Sequence, residues 1–244
     1  CMSANTAARL KVCIEFYYKI IIRIMQYGFY SNTIIKFPAY QGYTCNEYGY
    51  RTHEFDDWSD HCLMLGESNV FGIDVPDGKT VSEHLERQVK SRIYNLGQPG
   101  ASGEECVRIL YSFGQTPAPK KVIMIWPYLL RRNYQDLESM VRVTGSHNPE
   151  YTKYIVANTP DMDVAHFLQQ VFFVEQWCNW KGCECFHFMV DREDCDLLKS
   201  KGKMFEKLFL HSFQNHALDL GDTGGHFGAG AHQAFANYIK SFCF

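Results

Sequence analysis

Leu63-Met64-Leu65-Gly66-Glu67-Ser68-Asn69-Val70-Phe71-Gly72 decides how this chain is read. A short apolar run stops at Gly-Glu-Ser, and a second glycine follows four residues after the serine. That pattern carries a serine hydroxyl from the end of a strand into a tight turn. In an open α/β sheet such a turn lies at the carboxyl edge, where ligands bind, and the N–H groups opening the next helix face a developing negative charge. Ser68 is therefore the candidate nucleophile, with a helix N-cap serine as the plain structural alternative.

Outward from this stretch the sequence alternates between two periodicities. Short apolar runs predict strands over 61–65, 93–96, 121–126, 183–190 and 217–220. Helical spacing fills the intervals over 80–90, 102–113, 161–180 and 229–242, the first opened by the capping box Thr80-Val81-Ser82-Glu83. Strand and helix in repeated alternation predict a parallel sheet covered on both faces. The glycine turns at Gly66 and Gly100 then fall at the same carboxyl edge. The chain divides into an N-terminal extension over 1–44 and a single domain over 45–244, with 131–159 the least regular interval and the expected lid or specificity insertion.

Two further segments complete the pattern. Ile93-Tyr94-Asn95-Leu96-Gly97-Gln98-Pro99-Gly100 again runs a strand into a glycine turn, and Leu218-Asp219-Leu220-Gly221-Asp222-Thr223-Gly224-Gly225-His226 stands near the C-terminus. In this order of serine, glycine and a late Asp/His pair, the chain resembles the SGNH (GDSL-type) hydrolases, over roughly residues 45–240. Their blocks read Gly-Asp-Ser, a strand-to-helix glycine, Gly-x-Asn-Asp and Asp-x-x-His. Segments 46–51 and 228–236 look like phage and environmental variants of the family.

The resemblance implies a three-layer α/β/α sandwich with a central, mostly parallel sheet of the flavodoxin-like type. It also implies Ser68 as nucleophile, His226 as general base, and the Ser68 and Gly100 amides as oxyanion donors. A serine hydroxyl needs a neighbouring imidazole to take its proton, and the imidazole needs an acceptor at its other nitrogen. Three departures stand out. Glu67 replaces the aspartate of the first block, and Thr223 stands where the last block has aspartate, with Asp222 one residue early. No Gly-x-Asn-Asp follows the strand over 121–126, so Asn133 is either a displaced oxyanion donor or an ordinary loop asparagine. Asp222 is expected to orient His226 if Gly224 and Gly225 bend the loop; otherwise the pair lacks its carboxylate. Asp219 is expected to cap or pair locally.

With 46% hydrophobic and 21% charged residues, 244 residues suffice for one full core. A net charge of −3 gives no general attraction to nucleic acid or to an anionic membrane, and Lys199-Ser200-Lys201-Gly202-Lys203 reads as a solvated loop. The ten cysteines are scattered, as free buried thiols are. Cys178, Cys183, Cys185 and His187 invite a metal reading, but the spacing is not that of a zinc ribbon and 184–190 reads as a buried strand, so neither metal nor cofactor is expected. His84, His166 and His232 are expected at surface or packing positions.

The apolar stretch over 14–24 is broken by Glu15, Lys19 and Arg23, which argues against a membrane span and against a signal peptide. It is either a leader before a start at Met25 or an amphipathic helix on the domain or a membrane surface. The expected activity is ester hydrolysis through an acyl-serine, with acetylated carbohydrate the substrate class the resemblance favours and lipid esters and thioesters left open. The expected partner is a small-molecule or carbohydrate ester, with no nucleic acid and no firm membrane association, in a cytoplasmic or virion-associated protein. The alternative is a non-catalytic binding or virion-associated module that keeps the fold with a decayed site.

Overall fold

The computed structural model describes residues 33–135, 140–143, 160–202 and 209–244. The segment over 14–24 and much of the interval over 131–159 lie outside them. Five strands form one parallel sheet: β1 (His61–Leu65), β2 (Arg92–Asn95), β3 (Lys121–Trp126), β6 (Glu184–Met189) and β7 (Phe209–Ser212), in the order β2-β1-β3-β6-β7. Between them run α1 (Ser68–Phe71), α2 (Val81–Gln88), α3 (Gly103–Ser112), α4 (Pro160–Lys181) and α5 (Arg192–Ser200), and α6 (Ala229–Cys243) closes the chain. An antiparallel pair, β4 (Arg132–Gln135) and β5 (Met140–Val143), stands apart from the sheet.

The period-two alternation of a strand sorts its residues onto two faces. Leu63, Leu65, Tyr94, Val122, Met124 and Trp126 join the core shared with α3 and α4. Cys62, Met64, Ile93, Ile123, Ile125 and Phe188 join the core shared with α2 and α6. Burial on both sides is what a parallel sheet requires, and it explains why β1 and β3 read as near-continuous apolar runs. Ile34, Ile35 and Phe37, from the N-terminal extension, pack against the first of these cores.

The strand expected over 217–220 is not one. The last sheet strand is β7, a 3-10 turn over Phe213–His216 follows it, and Leu220 makes a single isolated bridge to Phe227. Leu218 and Leu220 are 75% and 62% exposed, so the alternation there lies over solvent rather than against a core. The sequence pattern also missed α5, β7 and the β4–β5 pair.

Candidate active site

The carboxyl ends of β1, β2 and β3 and the loop before α6 meet around Ser68. Gly66 ends β1 where only glycine fits: an added Cβ would lie 2.3 Å from Val70 Cγ2 and 2.7 Å from the Ile125 carbonyl oxygen. Glu67 then caps α1, its Oε1 accepting from the Asn69 backbone N–H at 2.9 Å and from Asn69 Nδ2 at 2.7 Å. The other face of the Asn69 amide reaches across the site, where its Oδ1 accepts from the Phe227 N–H at 3.2 Å. Asn69 thus ties the serine turn to the loop that carries His226, a role its sequence neighbourhood does not signal.

Ser68 Oγ lies 3.1 Å from His226 Nε2, across 158 residues of chain. On the far side of the ring, His226 Nδ1 lies 3.3 Å from Asp74 Oδ2. Asp74, and not Asp222, is the carboxylate facing the imidazole. Asp222 is exposed and makes no hydrogen bond or ion pair with His226, so the bend proposed through Gly224 and Gly225 does not bring it there. Thr223 contributes indirectly: its hydroxyl donates to the same Asp74 Oδ2. That donation, followed by the neighbouring imidazole, holds the Asp74 carboxyl below the usual carboxylate range.

The loop that carries Asp74 is held in place locally. It sits at φ 63°, a left-handed backbone that aspartate tolerates better than most side chains. Its N–H donates to Tyr43 Oη at 2.9 Å. The buried Arg51 guanidinium donates to the carbonyls of Gly72 and Val75 and to Asp77, holding the loop from both sides. Gly221 makes room for it, since a Cβ there would lie 2.4 Å from Asp74 Cβ. Asp219 does cap locally: its two carboxylate oxygens accept from the Gly230 and Ala231 N–H groups at 2.9 and 2.7 Å, at the start of α6.

The turn after β2 is pressed against α1. Gln98 N–H donates to the Gly66 carbonyl at 3.1 Å, and a Cβ on Gly97 would lie 2.5 Å from the Phe71 nitrogen. Gly100 follows in the left-handed region, at φ 75°. Among the described residues, neither the Ser68 nor the Gly100 amide is engaged by another group. Asn133 lies within β4, and its side chain is outside what the structure describes.

One contact was invisible in the sequence. Glu67, fully buried, lies with its Oε2 in hydrogen-bond range of Ser68 Oγ and 3.0 Å from Arg131 Nη1. Arg131 stands in the loop after β3 and stacks over the Tyr128 ring at 5.0 Å. A cation therefore lies one bridging oxygen away from the serine. The Ser68 hydroxyl has one proton and two acceptors within reach, Glu67 Oε2 and His226 Nε2.

Among the described residues, no helix is long and apolar enough to cross a membrane. No protein-family model matches the sequence, and no curated protein matches it. Solved structures do match. TesA superposes with a TM-score of 0.53 at 9% identity, over 75% of this chain and 97% of that one. A member of the lipolytic protein G-D-S-L family from Veillonella parvula has a TM-score of 0.48 at 12% identity, over 76% of this chain and 98% of its own. The psychrotrophic esterase EstA from Pseudoalteromonas sp. has a TM-score of 0.48 at 9% identity, over 75% and 98%. Likeness at these identities is likeness of fold. With the strand order of the sheet, the TesA superposition gives this chain the α/β fold of the SGNH (GDSL-type) hydrolases.

Proposed function

We propose that this protein hydrolyses carboxylic esters through an acyl-serine intermediate. The observation that carries the reading is the 3.1 Å approach of His226 Nε2 to Ser68 Oγ. His226 takes the hydroxyl proton as Oγ attacks the ester carbonyl, and Asp74 accepts from Nδ1–H, which fixes the ring and stabilises the imidazolium that forms. The carbonyl oxygen, now negative, faces the Ser68 and Gly100 amides. His226 returns its proton to the departing alkoxide, leaving Ser68 acylated. Water then attacks the acyl carbon with His226 again as base, releasing the acid and restoring the hydroxyl.

Arg131 supplies positive charge one carboxylate oxygen away from Ser68 Oγ, in a loop that lacks the Gly-x-Asn-Asp block. Acetylated carbohydrates are the first substrates to try, and lipid esters and thioesters complete the panel. The non-catalytic alternative draws on one observation, the contact of Ser68 Oγ with Glu67 Oε2, which offers the proton a second acceptor.

A fluorophosphonate probe separates the two readings. An activated serine is phosphonylated at Ser68, and labelling disappears in Ser68→Ala and falls sharply in His226→Ala. A folded protein that resists the probe, with no turnover of any ester in the panel, overturns the enzyme reading.

A further inference from the structure

The loop after β3 brings Arg131 to Glu67, and it is held by a residue of α5 that the mechanism above does not use. Where β3 and β6 end, the Val190 N–H donates to the Trp126 carbonyl at 2.8 Å. The chain then turns, and the Arg131 N–H closes the turn on the Tyr128 carbonyl at 3.0 Å. Leu129, inside the turn, is 3% exposed and lies in the core that also holds Cys195 and Leu198 of α5. Its N–H donates to Asp194 Oδ2 at 2.9 Å, across 65 residues of chain. Leu129 thus anchors the loop twice, through its side chain and through its amide. Asp194 is in turn fixed at the start of α5, where its own N–H donates to the capping carboxylate of Asp191 at 2.9 Å.

Two residues beyond that anchor, Arg131 Nη1 meets Glu67 Oε2 at 3.0 Å. Oε2 is also the oxygen in hydrogen-bond range of Ser68 Oγ, while Oε1 accepts from the backbone and side-chain N–H groups of Asn69. Of these contacts, Arg131 alone reaches Glu67 from outside the serine turn. The two donors on Oε2 compete for one oxygen, and the Ser68 proton has a second acceptor in His226 Nε2 at 3.1 Å. A guanidinium on Oε2 takes up its charge and weakens it as an acceptor for the serine. With Arg131 withdrawn, a buried carboxylate without its cation holds the Ser68 hydroxyl more strongly. The position of the loop therefore decides which acceptor the hydroxyl faces.

We propose that Asp194 is a positioning residue for the serine centre: by accepting from the Leu129 N–H it keeps Arg131 on Glu67, which leaves the Ser68 proton to His226. The inference rests on the esterase reading above and adds a point of regulation to it. The carboxylates of Asp191 and Glu193, at the start of the same helix, and of Asp163, on α4, face Asp194, and the loop it holds carries Tyr128 and Arg131. Burial, with repulsion from those three carboxylates, raises its carboxyl from 3.8 to about 6 against the opposing hydrogen bond from Leu129. A carboxylate accepts an N–H more strongly than a neutral carboxyl does, so the loop is held more firmly above about pH 6 than below it.

The test compares the full chain with its variants on an activated acetate ester, on both sides of about pH 6. Asp194→Asn keeps an acceptor for Leu129 and loses the charge. It is expected to match the parent below about pH 5 and to fall ~3–10-fold behind it above about pH 7, in kcat and not in KM. Asp194→Ala removes the acceptor and should lose ~100-fold at every pH, the scale of a roughly 1 Å displacement. Glu193→Gln, at an exposed position, removes one facing carboxylate, so the pH at which parent and Asp194→Asn diverge should move down even if the Asp194→Ala chain does not fold. A parent that neither takes the fluorophosphonate nor turns over an ester fails the esterase reading, and urea unfolding above about pH 7 then decides whether Asp194 holds Arg131: Asp194→Asn and Arg131→Ala should be non-additive. A constant ratio of parent to Asp194→Asn across the pH range, parent-like kcat in a folded Asp194→Ala, or strict additivity with Arg131→Ala overturns the proposal.

Discussion

Asp74 faces His226 from a loop that begins four residues after Ser68, so the carboxylate on the imidazole comes from the segment of the serine and not from that of the histidine. Asp74→Asn is therefore expected to lower kcat/KM on an activated acetate ester by ~10³–10⁴-fold, the scale on which loss of an orienting aspartate acts. Asp222→Asn should change it by less than about twofold, since surface substitutions of this kind rarely reach a site. The reverse ranking would show that Asp74 is a bystander.

Because the Thr223 hydroxyl is the main cause that lowers the Asp74 carboxyl, Thr223→Val should let that carboxyl rise toward its ordinary range. The carboxylate is needed in its charged form, so the acid limb of the kcat/KM profile should move to higher pH in this variant. An unmoved acid limb would mean that Asp74 does not limit activity in acid.

Glu67 and Arg131 should behave as a coupled pair. Arg131→Ala leaves a buried carboxylate without its cation, and Glu67→Gln replaces an oxygen that accepts hydrogen bonds with a group that donates them. Each is expected to cost ~1–3 kcal/mol in urea unfolding, and the double variant should cost less than the sum. Strict additivity would show that the pair contributes nothing as a pair.

Two glycines near the site should fail differently. Gly221→Ala pushes on Asp74 at the surface, so it should reduce kcat/KM ~100-fold, the cost of a roughly 1 Å displacement, with little loss of Tm. Gly66→Ala pushes on Val70 and on the β3 backbone, so it should destabilise the fold by ~1–3 kcal/mol. Paired activity and melting measurements distinguish the two outcomes.

His232 makes stability acid-sensitive. It is buried, its Nδ1 accepts from the Val81 N–H at 3.0 Å, and burial pushes its pKa from 6.5 down to about 3. The unfolded chain binds a proton there below about 6.5 and the folded chain does not until about 3, so this contribution is whole above that window and is lost as pH falls through it. His232→Gln, which keeps an acceptor for Val81, should flatten the slope of unfolding free energy across the window. An unchanged slope would place the acid sensitivity elsewhere.

The legible parts of the fold were those where local pattern and tertiary burial agree. β1 and β3 occupy the residues their apolar runs predict, and the Thr80–Glu83 capping box forms as read. Residues 217–220 carry the same alternation yet make no strand, because β7 has already taken the edge of β6 and, among the described residues, nothing covers Leu218 and Leu220. The same division runs through the site. Ser68 and His226 announce themselves through glycine turns, but Asp74 contacts the histidine across 152 residues and depends on Tyr43, Arg51 and Gly221, none of them adjacent to it in sequence. Its one local trace is an ordinary Asp-Val after Gly-Ile. Arg131 was hidden for a related reason: its partner, Glu67, lies 64 residues away in sequence.

The short path from Ser68 to Asp74 also bears on how such a centre changes over evolutionary time. Two of its three polar members ride on a single contiguous cassette, braced by Arg51, so changes in the distal loop that spare Gly221 and Thr223 can alter the base without disturbing the geometry between hydroxyl and carboxylate. Outside Gly221 and Thr223, the two positions other than His226 that touch Asp74, the histidine segment is then free to diverge, and a search keyed to the spacing of its last acidic residue passes such proteins by.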